Sequence, residues 1–498
     1  MFSLAKTSAR QREILEVVFR NGWDFMRQLL SGSRAEKPEL PPPQVLRNIL
    51  VELGPVYVKL GQLLSTRPDL LPPPYIESLS SLQAKVPAVA WPEIEITIRQ
   101  QLTRPWNEVF AMVEPEPIAA GSIAQTHRAR LQSGELVALK VQRPGIAQVV
   151  AQDIALIRAL AELAALTDFG QDYDAIALAE EFAEALQAEL DFTDEARSTD
   201  QLRRNLSTSR WFDPKAINVP LVYWELVTEK LLVLEWLDGS PILVATALQG
   251  ADQAKTRQDV ASLLVRSFFQ QVCLDGFFHA DPHPGNLFYL RDRRVALLDC
   301  GMVGRLDPRT QEILLELILG VVSLDAQRCA QLTLKLSPPE RSVNLIQLEN
   351  DFDRLLRQYY SLDLNELNFS ELFYEVLQTA RDNKIRIPGN LGLVAKAIAN
   401  LEGVARTLDP TFNFPQQIRP LMAQVFQQQL VGDAPLPAIL RTFLDLKGLG
   451  LRSPRQVELL LDRLSSETLQ FNLRSQDAEK FRISFERVGN RLAFSIVA

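Results

Sequence analysis

Apolar side chains fall on a 3.6-residue period near the start of the chain, at Ile14, Val17, Val18, Phe25, Leu29 and Leu30, which predicts a helix. Three prolines, Pro41 to Pro43, interrupt the pattern. It resumes as one predicted helix from Val45 to Thr66, and Pro68 and Pro72 to Pro74 punctuate its exit. From about residue 111 the pattern changes. Leu136-Val137-Ala138-Leu139-Lys140-Val141 reads as a strand, and Leu231 to Trp236 reads as a buried strand run into a turn at Asp238-Gly239. Between them, Asp153 to Leu166 and Ala175 to Leu190 carry apolar stripes at helical spacing. Further helices are expected over Val260 to Gly276, around Ile313 to Leu319, where almost every side is apolar, and through most of 340–475. No internal repeat or low-complexity tract interrupts this order.

Length and composition narrow the picture only a little. A chain of 498 residues exceeds one hydrophobic core. With 47% hydrophobic and 23% charged residues it is an ordinary globular composition. A net charge of −8, with no long Lys/Arg run, argues against nucleic acid as a partner. Cys273, Cys300 and Cys329 form no CxxC pair, so free thiols in a reducing compartment are expected. Only His127, His279 and His283 are present, too few and too scattered for a zinc site. Met1 to Arg12 lacks an apolar signal core.

The chemistry concentrates between His279 and Gly301. His279-Ala280-Asp281-Pro282-His283-Pro284-Gly285-Asn286 is followed by Leu297-Leu298-Asp299-Cys300-Gly301. Asn286 stands five residues after Asp281, and an apolar run, Val295 to Leu298, leads into Asp299. Phosphoryl-transfer centres need such a set: one carboxylate to orient the attacking oxygen, and a carboxylate with an amide oxygen to hold Mg²⁺. Upstream, the small-residue stretch Ala119-Ala120-Gly121-Ser122-Ile123-Ala124-Gln125 could bring backbone N–H groups against phosphates. Lys140 ends a Val-Ala-Leu-Lys strand that matches the phosphate-contacting lysine of kinases. Glu189, Asp191 and Glu195 come at the end of the Ala175–Leu190 helix, where negative charge opposes the helix dipole. A partnership with the Lys140 ammonium accounts for one of them. The strand ending at Glu235 and Leu237 would present backbone groups to adenine. Lys59-x-Gly61-Gln62, read from its residues alone, is a close-packed glycine beside two solvated polar groups.

Taken together, these motifs resemble the UbiB/ADCK group of atypical, kinase-like proteins, in its cyanobacterial and chloroplast branch. The resemblance runs over nearly the whole chain. It implies an α+β, atypical protein-kinase-like bilobal fold, with an N-terminal helical extension over the cleft and a helical C-terminal extension. The corresponding divisions are 1–110, 111–236 (N-lobe with a helical insert), 237–340 (C-lobe catalytic core) and 341–498. It implies ATP or ADP with Mg²⁺ as ligands, weak ATPase activity, and a role in prenylquinone metabolism, of plastoquinone, ubiquinone or tocopherol, at the cytoplasmic face of a plasma or thylakoid membrane. Prenyl-quinone lipids or their biosynthetic enzymes are the implied partners. Asp281 becomes the nucleophile-orienting group, Asn286 and Asp299 the metal ligands, and Glu195 the partner of Lys140. Lys59 and Gln62 become gate residues paired with Glu189 and Asp191, which replaces the bland reading of that segment.

Two departures carry expectations of their own. Gly121 stands where many relatives have alanine, and freer backbone there is expected to alter nucleotide use. Relatives of this type continue into a hydrophobic hairpin, so the apolar trend Leu492 to Ala498 is expected to be the start of one, cut short. A genuine protein kinase, a small-molecule kinase and a nucleotide-switched scaffold remain open alternatives. Against the first, no Ala-Pro-Glu follows Asp299.

Overall fold

In the computed structural model, the described residues are 42–422, apart from 68–69, 81, 83–85, 167–174, 246–247, 249–252, 337–342, 360–367, 386 and 419, together with 12, 16–17 and 20–21. The C-terminal trend Leu492 to Ala498 lies outside them, as does most of the first predicted helix, whose Val17 is buried.

The expected Val45–Thr66 helix is two helices, α1 (Pro43–Leu53) and α2 (Pro55–Leu64). Gly54 divides them with φ +98°, and Pro55 starts α2 at the position where its missing N–H costs nothing. α3 (Pro73–Ser80) and α4 (Trp91–Gln101) follow, then the single turn α5 (Trp106–Val109). Strands β1 (Phe110–Val113), β2 (Ala119–Ala120), β3 (Ala124–Leu131) and β4 (Leu136–Gln142) come next.

After β4 run α6 (Ile146–Ala164), α7 (Ala175–Ala188) and α8 (Phe192–Leu206). α8 corrects the expectation that Asp191 and Glu195 trail a helix C-terminus. Asp191 is the N-cap of α8, its carboxylate accepting from Thr193 N–H at 2.8 Å, and Glu195 sits in the first turn. Negative charge there agrees with the helix dipole instead of opposing it.

β5 (Ile217–Asn218) and β6 (Leu231–Glu235) precede β7 (Gly239–Pro241). β1, β3, β4 and β6 form an antiparallel sheet in that order, with β2 paired to β3. Register places Lys140 between Thr126 and Leu232. Alternation along β4 buries Val137, Leu139 and Val141 and leaves Lys140 on the other face.

α9 (Ala254–Gln270) runs into one π-helical turn, Gln271–Asp275, which Gly276 closes in the left-handed region at φ +60°. The segment expected to carry the chemistry, called the catalytic segment from its motif, follows as β8 (Phe277–His279), β9 (Leu287–Leu290), β10 (Val295–Leu297) and β11 (Val303–Arg305). β9 lies between β7 and β10, β10 also pairs in parallel with β5, and β8 pairs with β11. Five helices follow, α10 (Pro308–Val322), α11 (Ala326–Leu336), α12 (Leu345–Arg357), α13 (Phe369–Asp382) and α14 (Gly389–Leu408), and the described chain ends in helical residues at 414–418 and 420–422.

The largest apolar core joins α9 to α14 beneath the catalytic segment, with Phe269, Phe278, Phe369 and Phe414 fully buried in it. A second core packs α1 to α3 against α6 and α7, and includes Ile123 of the small-residue loop. Burial on this scale contributes about 25 cal/mol per Å² of apolar surface, so each core fixes its elements firmly. Glu402 locks α14 to α13. Its buried carboxylate accepts from the N–H groups of Phe369 at 3.1 Å and Ser370 at 2.7 Å, and it also binds Arg406. Those N–H groups are the unpaired donors of the α13 N-terminus, where a carboxylate is favoured. Among the described residues no helix is long and apolar enough to cross a membrane.

Candidate active site

One cavity of about 340 Å³ gathers Lys59 and Gln62 from α2, Ala119 and Gly121 to Ala124 from the loop, Lys140 from β4, and Asp281, Asn286 and Asp299 from the catalytic segment. Glu189 and Glu195 border it from the α7–α8 corner.

Lys140 is its electrostatic centre. Its Nζ lies 2.8 Å from each oxygen of Glu195 and 3.3 Å from Asp299 Oδ1. Burial disfavours the ammonium, but Asp299 and Glu195 outweigh it and raise the Lys140 pKa above its ordinary value. The same ammonium holds the Asp299 carboxyl down at about 2, with burial acting against it. Burial pushes the Glu195 carboxyl up, against the pull of Lys140. Asp299 adopts φ +50°, rare for a residue with a side chain, and its side chain is 55% exposed toward the cavity. Gly301 makes room for this cluster, since a Cβ there would stand 3.3 Å from Asp299 Oδ1.

The loop from His279 to Asn286 is held by its own hydrogen bonds. His279 is buried and takes the Asp281 N–H on Nδ1 at 3.1 Å, which leaves its proton on Nε2 for the Leu298 carbonyl at 3.0 Å. Asn286 Nδ2 donates to the Asp281 carbonyl at 3.1 Å, so its Oδ1 has no protein partner among the described residues. His283 is a turn residue whose Nδ1 accepts from Gly285 N–H.

Across the cavity, Lys59 Nζ pairs with Glu189 at 2.5 Å. Burial disfavours the Lys59 charge, and Glu189 more than compensates, so its pKa is raised. Gln62 Nε2 donates to the Leu82 carbonyl at 2.9 Å. The expected pairing of this segment with Asp191 is absent, because Asp191 is committed to capping α8. It lines a separate cavity of about 600 Å³ that shares Glu189 and Glu195 with the first.

The small-residue loop divides. Ala119, Gly121, Ser122, Ile123 and Ala124 line the cavity, whereas Ala120 and Gln125 do not. Gln125 is buried and turned to structure, with Val89 N–H on its Oε1 at 2.8 Å and His127 beside its Nε2. His127 is likewise buried, against Trp91 and the Glu114 carbonyl. Gly121 N–H is bound to the Ala124 carbonyl, while the N–H groups of Ser122 and Ile123 have no protein acceptor among the described residues. Gly121 lacks a positive φ, and a Cβ there would meet only the Ala124 carbonyl at 3.5 Å, so the backbone does not demand glycine at this position. Glu235 and Leu237 lie outside the cavity lining. The Glu235 carboxylate instead accepts from Leu221 N–H at 3.1 Å.

Three site residues escaped the sequence reading. Arg143 Nε donates to the Gly121 carbonyl at 2.9 Å and clamps the loop. Lys396 Nζ and Asn400 Nδ2, both on α14, meet Asp281 Oδ1 at 3.3 and 3.2 Å. No spacing signal links α14 to the catalytic loop, although a lysine on the apolar run of a buried helix was visible.

The donor set suits Mg²⁺ bound through a nucleotide. Among the described residues no group of three His, Cys, Asp or Glu is arranged to hold a metal alone. One carboxylate and one free amide oxygen, Asp299 and Asn286, leave the remaining positions to phosphate and water, as Mg²⁺ prefers.

Comparison with known proteins finds a family and named relatives. Residues 81–333 match the model of the ABC1 atypical kinase-like domain, and residues 352–413 that of the UbiB helical domain. An uncharacterized protein of Synechocystis sp. is 56% identical over 81% of this chain and 100% of its own length. The chloroplastic protein ACTIVITY OF BC1 COMPLEX KINASE 7 of Arabidopsis thaliana is 32% identical over 87% of this chain and 63% of its own. A probable protein kinase UbiB of Pseudomonas putida is 34% identical over 76% of this chain and 69% of its own.

Proposed function

We propose a function from one premise: this chain belongs to the family of ABC1 atypical kinase-like proteins. Its α+β fold is kinase-like. On our reading it is an ATP- and Mg²⁺-dependent atypical kinase or ATPase. The observation that carries this is Lys140 held between Glu195 and Asp299, with Asn286 and Asp281 facing the same cavity.

When bound, ATP with Mg²⁺ supplies the transferable phosphoryl group and spreads its charge. Asp299 and Asn286 Oδ1 would hold the ion. Lys140, beside Glu195 and Asp299, would supply positive charge to the α/β-phosphates. The N–H groups of Ser122 and Ile123 would be donors to the phosphates. Asp281 orients the attacking hydroxyl or water and accepts its proton. Lys59, fixed by Glu189, and Gln62 border the cavity and restrict what enters. From the family resemblance we extend the reading to prenylquinone metabolism at a membrane surface, with a quinone precursor or its biosynthetic enzymes as the client.

Titration calorimetry with ATP and ADP, with and without Mg²⁺, tests the core of this reading. Wild type is expected to bind in the micromolar range only with Mg²⁺, and Asp299→Asn to lose at least tenfold in affinity, about 1.4 kcal/mol. A folded wild type that binds neither nucleotide with Mg²⁺ sinks the proposal.

A further inference from the structure

Lys396 and Asn400 lie one turn apart on α14, and both reach the same oxygen of Asp281. The Lys396 side chain is only 8% exposed. A buried ammonium is costly unless it is paired, and Asp281 is its partner among the described residues. Both contacts fall on Oδ1, at 3.3 and 3.2 Å, and Oδ2 has no hydrogen-bond partner among the described residues. The Asp281 backbone is fixed separately, by His279 Nδ1 on its N–H and by Asn286 on its carbonyl.

We propose that Lys396 and Asn400 are the positioning residues of Asp281: they hold Oδ1 so that Oδ2 alone is presented to the nucleophile. This rests on the reading of Asp281 as the proton acceptor. A carboxylate free to spin about its terminal bond offers either oxygen in many orientations, whereas one doubly held through Oδ1 offers one lone-pair direction. The anchoring of α14 makes the hold rigid. Glu402, two residues beyond Asn400, is tied to the start of α13, and Arg257 Nε on α9 grips the Leu408 carbonyl at 3.1 Å. The element carrying the two donors is thereby fastened at its C-terminal half to the core beneath the catalytic segment. Lys396 thus acts through Asp281 and not as a phosphate ligand.

Steady-state ATP turnover and Mg²⁺–ATP affinity of the full chain test this, in wild type, Lys396→Met, Asn400→Ala, Asp281→Asn and the Asp281→Asn/Lys396→Met double variant. Lys396→Met is expected to lower kcat about 100-fold with the ATP Kd unchanged within about threefold. Asn400→Ala is expected to lower kcat about fivefold, and the double variant to be no slower than Asp281→Asn, because the lysine acts only through that carboxylate. An unchanged kcat in Lys396→Met while Asp281→Asn is inactive overturns the inference and leaves the function intact. A loss of ATP affinity in proportion to kcat, or single-variant effects that multiply in the double variant, also overturns it. Full turnover in Asp281→Asn sinks the proton-acceptor reading, and this inference with it. Should Lys396→Met fail to fold, Lys396→Gln and Asn400→Ala carry the same comparison.

Discussion

Two lysine–glutamate pairs face one cavity and are built in opposite ways. Lys140 stands on a central strand, and Glu195 in the first turn of α8, so both ends are carried by regular structure. The contact uses both carboxylate oxygens, Glu195 is 9% exposed, and Asp299 adds a third charge. Lys59 stands on a short helix packed against other helices, and Glu189 lies in the corner between α7 and α8. There the contact is with one oxygen, and Glu189 is 26% exposed. The first pair stands at the centre of the site and the second on its border. An ion pair that is bidentate and joined by a third group is costlier to break than a single contact, here between side chains 16% and 26% exposed.

Breaking each pair from its acidic side gives the sharpest contrast. Glu195→Ala strands the Lys140 ammonium on Asp299 and is expected to cost about 3 kcal/mol of stability, as well as turnover. Urea unfolding midpoints with activity assays measure both. Glu189→Ala is expected to cost about 2 kcal/mol, less than Glu195→Ala, and to leave the Lys140 cluster in place. Equal losses in the two variants would erase the distinction. Acid gives the smallest effect. The Asp299 carboxyl is depressed to about 2, so its contribution is complete above the ordinary carboxylate pKa of about 3.9 and fades as pH falls toward 2. Cavity solvent screens this half-exposed group, so the expected change is a shallow one. Unfolding midpoints of Asp299→Asn should fall less than those of wild type between pH 4 and pH 2.5.

What the sequence made legible was short-range. Asp281, Asn286 and Asp299 lie within one loop and one hairpin, so spacing alone brings them together. Lys140 was legible because it ends a Val-Ala-Leu-Lys strand, and alternation along that strand then sets its face. The pairing of Glu195 with Lys140 came from resemblance, and the geometry supplies its cause in α8, a helix that the reading passed over. Its signal was present: Asp191 followed by Thr193, Asp194 and Glu195 is an N-cap with an acidic first turn. Gly54-Pro55 likewise marked the break between α1 and α2. The side chains of Gln125 and Asp191 make scaffold contacts, because a polar side chain near a site can serve the scaffold, and nothing local tells the two uses apart. Lys396 and Asn400 were illegible because more than 100 residues separate them from Asp281, with Asn400 lying 119 positions away. Only the tertiary packing of α14 closes that distance.

The grip of α14 on Asp281 makes the two stretches that match separate family models a single chemical machine. A fragment ending near residue 335 would keep Asp281, Asn286, Asp299 and Lys140, yet it would lose both donors on the Asp281 carboxylate and the α12–α14 share of the largest core. Trimming this chain to its first matching stretch would therefore remove aim and foundation together.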